Sequence, residues 1–383
     1  MSDLYDILII GAGINGAGIA RDASGRNLKV CVVEQNDIGS ATSSWSTKLI
    51  HGGLRYLENY EFRLVRESLK EREIIKKIAK DIIKPIPFII PHTPSQRSIW
   101  IIKFGLFLYD LLGGKSSIPK SKKISISSEI PNILKDNFKI GFKYYDLQVD
   151  DKKLVELNIN DAKKRGATII ENTKVKEVFR QSETWSIKLE NNTILNSKIL
   201  INATGPWIND VLKNIIKLKN KKSIRLVKGS HIITNKLYKE EYALTLQNND
   251  NRIVFVIPYK KKYTLIGTTE KEVFSPDSPK IDKDEIDYLI KTVNHFLKKQ
   301  VNEKDIIDTY SGIRPLIEDF KEASKVTRDY AFDLNTKNKN TPLLSIYGGK
   351  LTTYRKLSEK VMSSLKPFLP IKNSKNWTDT KVL

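Results

Sequence analysis

The feature that most constrains this chain is a strand, a glycine turn and a helix packed into its first 34 residues, "YDILIIGAGINGAGIARDASGRNLKVCVVE". Residues 5–10 are an apolar run of strand type, and residues 29–33 are a second, closed by Glu34. Between them Gly11, Gly13 and Gly16 hold GxGxxG spacing, and the small-residue stretch from Ile14 to Ser24 reads as a helix ended by Gly25. Gly11 permits the tight turn, Gly13 lets backbone approach a pyrophosphate, and Gly16 lets helix and strand pack closely. The helix start offers unpaired N–H groups and partial positive charge to phosphates. Glu34 sits about 20 residues on, where a carboxylate accepts hydrogen bonds from ribose hydroxyls. Together these features predict a Rossmann-like α/β domain that binds a dinucleotide.

The chain then departs from a plain nicotinamide-binding pattern. After Glu34 comes "NDIGSATSSWSTKLIHGG", an extended run rich in hydroxyls instead of another strand–helix–strand unit. That suits a flavin, whose ribityl chain and pyrophosphate need many hydrogen-bond partners. The run ends in the pair Gly52–Gly53, flanked by Lys48, His51 and Arg55. Two adjacent glycines are costly to order, so something must pass close to the backbone there.

With 383 residues the chain is long enough for two or three domains. A net charge of +22 invites an acidic substrate, an anionic membrane surface or nucleic acid. Lysines scattered as in "KNIIKLKNKKS", without interleaved aromatic platforms, argue against nucleic acid as a partner. A lone cysteine, Cys31, excludes an internal disulfide and reads as a small core residue. The start "MSDLYD" shows no signal-peptide pattern, and no apolar run reaches the length of a spanning helix. The nearest is "IWIIKFGLFLYDLLGG", broken by Lys103 and Asp110. It reads either as a buried amphipathic helix or as a segment lying in a membrane interface, with Arg97, Lys103 and Lys115 at headgroup level. The charged pattern over 61–77 reads as an ordinary solvent-facing helix. His92 falls in a proline-rich turn, His295 on a structural helix over 286–299, and no metal-ligand cluster stands out.

The blocks "GAGINGAGIARDA", "STKLIHGGLRYLE", "NATGPW", "LVKGSHI", "NRIVFVIPY", "LIGTTE", "YSGIRPL", "TRDY" and "GGKLTTYRKL" occur in this order along nearly the whole chain. Together they resemble the FAD-dependent glycerol-3-phosphate dehydrogenases, membrane-associated flavoproteins of the D-amino-acid-oxidase-like superfamily. The resemblance implies FAD as cofactor and an interleaved architecture. A discontinuous FAD-binding domain would take residues 1–80, 146–222 and 306–383. An α+β substrate domain with an antiparallel sheet would take 81–145 and 223–305. The all-helical C-terminal domain of longer members is absent from this expectation, since the chain stops at "NWTDTKVL".

The resemblance also implies residue roles. Gly11, Gly13, Ile14, Asn15, Gly16 and Glu34 would hold the dinucleotide, with Val175 beside the adenine and Ala203, Thr204 and Gly205 bringing a second strand end to it. Thr42, Ser43, Ser44, Ser46, Lys48, Leu49 and His51 would line the pyrophosphate and ribityl side. The flavin ring would lie by Gly52 and Gly53, and by Gly348, Gly349, Lys350, Leu351 and Thr352. Arg55, Tyr56, Arg314, Arg328 and Lys350 would meet an anionic substrate, glycerol 3-phosphate, since phosphate calls for guanidinium and ammonium groups. His231 is the expected base or orienter, with Arg314 lowering the alcohol's effective pKa. The implied reaction carries hydride from C2 to flavin N5 and electrons to a membrane quinone. The implied location is peripheral, on the cytoplasmic side of the inner membrane, with a homodimer as a further expectation. A related oxidase using oxygen, or acting on another anionic hydroxy or amino acid, is the alternative.

Overall fold

Alternate residues of the first strand, Leu4–Ile10, are buried on opposite sides of a sheet. Ile7 and Ile9 face one apolar layer, and Tyr5, Leu8 and Ile10 the other. The structure is a computed structural model and describes residues 4–93, 98–218, 222–250, 252–318, 329–337, 340–370 and 375–383. Leu4–Ile10 runs parallel to Val30–Val33 and to Ile194–Asn202; Val30–Val33 is parallel to Thr168–Ile170, and Ile194–Asn202 to Asn340–Gly348. Burial on both faces is what a parallel sheet requires. The helices Ile14–Ser24, Asp151–Lys164 and Tyr354–Leu365 cover one face. The hairpin of Val175–Arg180 with Trp185–Leu189, and the turn of helix around Ile208 to Ile216, cover the other. The expected α/β core is thus present, and strand ends from four separate parts of the chain meet at one edge.

The second sheet is almost wholly antiparallel. Ile224–Asn235, Tyr263–Gly267, Ile253–Tyr259, Ala243–Gln247, Ile83–His92 and Ile140–Val149 lie side by side. The helix Lys283–Phe296, opened by a capping box on Asp282 and Glu285, packs Leu289, Val293 and Phe296 on one face. The helices Phe62–Ile78 and Ile99–Gly113 pack on the other.

Four expectations shift. The strand Ile306–Ile317 pairs with Ile224–Asn235 along nearly its full length, so this sheet reaches residue 317 and does not stop at 305. Likewise Ile140–Val149 crosses position 146 unbroken, and Leu49–Ile50 joins its edge. His92 closes the strand Ile83–His92 and is buried there, so it does not sit in a turn. The helix Phe62–Ile78 is amphipathic, not merely solvated, and its inner face carries charge. Glu71 takes two hydrogen bonds from Arg355, at 2.8 and 2.6 Å, in a buried cluster with Glu359.

Candidate active site

The glycine turn works as its spacing implies. Gly11 has φ +101°, and a Cβ there would sit 2.8 Å from the carbonyl oxygen of Ala203. At Gly16 a Cβ would fall 1.9 Å from the Gly11 carbonyl oxygen, so this glycine lets the helix rest on the turn and does not itself reach the cavity. Glu34 accepts the Ala12 N–H at 2.8 Å and the Asn36 N–H at 3.1 Å. Burial raises its pKa against those donors. Ile14 N–H donates to the Ser43 hydroxyl at 2.9 Å.

Around this turn a cavity of about 540 Å³ is walled by Gly11, Gly13, Ile14, Asn15 and Glu34, by Thr42 and Ser43, by Val175, by Ala203, Thr204 and Gly205, and by Gly348 and Gly349. A second space of about 210 Å³ shares Ile14, Thr42, Ser43, Gly348 and Gly349 with the first and continues to Ser46, Leu49, His51, Tyr56, Arg314, Lys350, Leu351 and Thr352. A third, of about 460 Å³, shares Thr47, Leu49, His51, Tyr56 and Arg314 with the second and adds Gly53 and Arg55. The three form one trough, from the Rossmann turn to a cationic chamber under the antiparallel sheet.

In that chamber the Arg314 guanidinium donates to the Thr268 hydroxyl at 2.9 Å. The Lys350 ammonium lies 4.4 Å over the Tyr56 ring and donates to Ser68 Oγ at 3.3 Å. His51 ties its loop to Thr352 through backbone N–H and C=O, at 3.2 and 3.3 Å. Burial first, then Lys350 and Arg72, pushes the His51 pKa down to about 4. His51 is therefore neutral near pH 7, and a weaker base than a free imidazole.

Besides Gly16, four expected residues, His231, Lys48, Ser44 and Gly52, are not on the cavity walls. His231 is buried, stacked on Tyr310 at 4.7 Å between centroids, and hydrogen-bonded through Nε2 to Thr47 Oγ1 at 3.1 Å. Its pKa is driven well down by burial, Arg314 and Lys48, and the ring does not reach the cavity wall. Its hydrogen-bond partner Thr47 does line the chamber. Lys48 pairs with Asp151 at 2.7 Å and donates to the Ser44 carbonyl, so its charge is spent inside the loop. Ser44 donates its hydroxyl to the Gly39 carbonyl. Gly52 faces Leu69 and Tyr109, where a Cβ would come within 2.3 and 2.6 Å, and Gly53 has φ +77° with the Tyr56 ring against it. What approaches this glycine pair is the protein's own packing. Arg328 lies outside the described residues. Thr47, Thr268, Gln247 and Glu270 line the chamber and were missed, although "STKLIHGG" and "LIGTTE" contain three of them.

A family described as FAD dependent oxidoreductase matches residues 6–355. The chain belongs to the FAD-dependent oxidoreductases. A glycerol-3-phosphate dehydrogenase of Pseudomonas aeruginosa is 45% identical to this flavoenzyme, over 96% of it and 73% of the relative. A D-erythritol 1-phosphate dehydrogenase of Brucella abortus is 43% identical over 95% and 74%. The structure of glycerol-3-phosphate dehydrogenase from Bacillus halodurans complexed with FAD superimposes with TM-score 0.74 at 26% identity, covering 97% of this chain and 66% of that one. The FAD-bound L-alpha-glycerophosphate oxidase of Mycoplasma pneumoniae, TM-score 0.76 at 17% identity over 100% and 99%, shares the fold. The trough of this flavoenzyme fits FAD by its own chemistry. The buried Asn15 Oδ1 is without a partner, and the same side chain lies against Gly349, where a Cβ would come within 2.8 Å of its Nδ2. The helix start opens on the cavity through Gly13, Ile14 and Asn15 and suits the pyrophosphate, and the Glu34 carboxylate on the same wall suits a ribose.

Proposed function

We propose that this flavoenzyme oxidises the C2 hydroxyl of sn-glycerol 3-phosphate to give dihydroxyacetone phosphate, and that the electrons leave to a membrane quinone. The observation that carries this reading is that Arg55, Arg314 and His51 line one chamber continuous with the cofactor trough. FAD, when bound, supplies the two-electron acceptor for the hydride of C2. Arg314 and Arg55 bind the phosphate by charge and forked hydrogen bonds, helped by Lys350. His51, on the chamber wall beside Arg314, takes the C2 hydroxyl proton at a ring nitrogen. This gives His51 the base role and leaves His231 the other of its two expected roles, that of orienter, acting through Thr47. The walls of Phe88, Phe255 and Tyr144 exclude water from the chamber.

Two features support a membrane acceptor. Trp100, Ile101, Phe104, Phe107 and Leu111 on the helix Ile99–Gly113 are each at least 60% exposed, with Lys103 and Lys115 exposed beside them. Such a face suits a bilayer interface, where each sunk ring or branched chain contributes roughly 1–2 kcal/mol. No helix among the described residues is long and apolar enough to cross a membrane. Ile101 and Phe104 of the same face also wall the chamber, together with Gly105 and Leu108, giving an apolar way in for a quinone ring.

The Brucella relative favours a second reading, a longer polyol phosphate, for which Gln247 on the chamber wall offers a further polar group. The test is anaerobic bleaching of the yellow protein. Glycerol 3-phosphate should reduce the flavin within seconds. Bleaching by erythritol 1-phosphate, or by a hydroxy or amino acid, but not by glycerol 3-phosphate would overturn the leading reading. Reoxidation by a quinone analogue rather than air separates dehydrogenase from oxidase.

A further inference from the structure

The helix Ile99–Gly113 has an inner face as well as the exposed one, and the inner face is not purely apolar. Beside Ile102 and Leu106 it buries Tyr109. The backbone N–H of Gly52 donates to the Tyr109 hydroxyl at 2.8 Å. That hydroxyl donates onward to the carboxylate of Asp146, 2.8 Å from either oxygen. Arg72 completes the set, donating to Asp146 Oδ1 at 2.8 Å and to the Tyr145 carbonyl at 2.9 Å.

The position of Gly52 gives this arrangement its interest. Its neighbours on either side, His51 and Gly53, both wall the substrate chamber. Without the tyrosine hydroxyl the Gly52 N–H retains only a long contact, 3.4 Å, to Asp146 Oδ1. A buried peptide N–H does not readily lose its acceptor, so the loop follows Tyr109. Holding the helix needs no hydroxyl, since Ile102 and Leu106 already pack it, and neutralising Asp146 needs only Arg72. The tyrosine adds a direct polar link between the helix with the exposed apolar face and the peptide next to His51.

We propose that Tyr109 is a positioning residue that transmits the seating of this helix on a lipid surface to the His51–Gly53 loop. The inference rests on the membrane reading above and deepens it by naming how that surface regulates the site. A bilayer that fixes the helix fixes the hydroxyl, and through it the Gly52 peptide and the His51 ring. Coupling of this kind is reciprocal: a ligand that fixes the loop tightens the hold of the helix on lipid.

The test uses the FAD-loaded enzyme, vesicles of phosphatidylethanolamine and phosphatidylglycerol, and anaerobic flavin reduction by glycerol 3-phosphate. With wild type, vesicles should raise the limiting reduction rate constant by about fivefold and leave half-saturation by glycerol 3-phosphate within about twofold, a split that loss of stability alone does not produce. Tyr109→Phe should sediment with vesicles as wild type does, and its rate constant should not respond to them. A wild-type response retained by Tyr109→Phe overturns the proposal. So does a wild type that sediments with vesicles and reduces its flavin no faster. A wild type that fails to sediment sinks the membrane reading, and the coupling with it. A flavin that glycerol 3-phosphate does not reduce sinks the substrate reading alone. In that case, or if Tyr109→Phe does not hold FAD, amide hydrogen exchange on wild type decides. Exchange at Gly52 should slow on vesicles, and an unchanged rate refutes the link.

Discussion

His231 Nε2 lies 3.1 Å from the hydroxyl of Thr47, and it is Thr47 that faces the chamber. If the histidine acts by fixing that hydroxyl, His231→Gln and Thr47→Val should each lower kcat by about tenfold, and the double variant should be no worse than either alone. Non-additivity is the signature of residues sharing one task. His51→Gln should cost far more, about 10²–10⁴-fold, as expected for a lost general base. Steady-state kinetics of the four variants checks the order; a His231 defect exceeding that of His51 would return the base role to His231.

The depressed pKa of His51 has a consequence for stability, and its sign follows from linkage. The folded pKa, about 4, lies below the ordinary 6.5, so the unfolded chain binds the proton first as pH falls. The contribution is complete above pH 6.5 and is lost on the way down to about 4, by at most about 3 kcal/mol. His231, also depressed, adds in the same direction. Denaturant unfolding between pH 7 and 4 should show a falling stability whose slope lessens in His51→Gln.

Arg314 has room because position 229 is glycine: a Cβ there would come within 2.4 Å of Arg314 Nη2. Gly229→Ala should therefore displace the guanidinium without removing it. Both this variant and Arg314→Lys should raise KM for glycerol 3-phosphate by about 10–100-fold, the cost of one or two charge-assisted hydrogen bonds. Unchanged KM in both would take phosphate recognition away from Arg314.

The parts of this architecture legible in the chain were those whose physics is local. Gly11, Gly13, Gly16 and Glu34 announce themselves because turn, helix start and second strand lie within 34 residues, and the cavity is walled by Gly11, Gly13 and Glu34 while Gly16 seats the helix. Lys48 and Gly52 were misread for the opposite reason. Asp151, which takes the Lys48 charge, is 103 positions away, and Tyr109, which meets Gly52, is 57 away. A lysine among serines looks like a phosphate ligand until packing supplies its carboxylate. Residues 306–383 read as part of the FAD-binding domain, whereas the strand Ile306–Ile317 pairs with the equally remote Ile224–Asn235. The helix Ile99–Gly113 left two readings open in sequence, since an apolar stretch does not say which of its faces is covered.

Packing against the first helix gives a further prediction. Trp377 lies over Gly25, where a Cβ would sit 2.0 Å from its ring, with the guanidinium groups of Arg165 and Arg21 at 4.3 and 5.0 Å from the ring centroid. Gly25 has φ −70°, so alanine suits the backbone and only the ring objects. Gly25→Ala should destabilise by about 1–3 kcal/mol through overpacking, and limited proteolysis should then cut within 375–383. A melting temperature equal to wild type would show that the indole moves aside at no cost.

The exposed face of the helix Ile99–Gly113 is the feature most easily separated from the chemistry. Phe107 and Leu111 do not wall the 460 Å³ chamber, whereas Ile101 and Phe104 do. Phe107→Asp with Leu111→Asp should therefore weaken vesicle sedimentation by about tenfold or more, since two large apolar groups are lost to the interface and two negative charges face acidic headgroups. Reduction by glycerol 3-phosphate and turnover with a water-soluble quinone analogue should persist off the membrane. Phe104→Asp differs in kind, because it places a charge both on the lipid face and at the mouth of the chamber. It should impair quinone reoxidation even with a soluble analogue, while anaerobic bleaching by substrate continues. If the paired variant sediments normally, this face is not the lipid contact; if Phe104→Asp is reoxidised as fast as wild type, the apolar wall is not the route by which electrons leave.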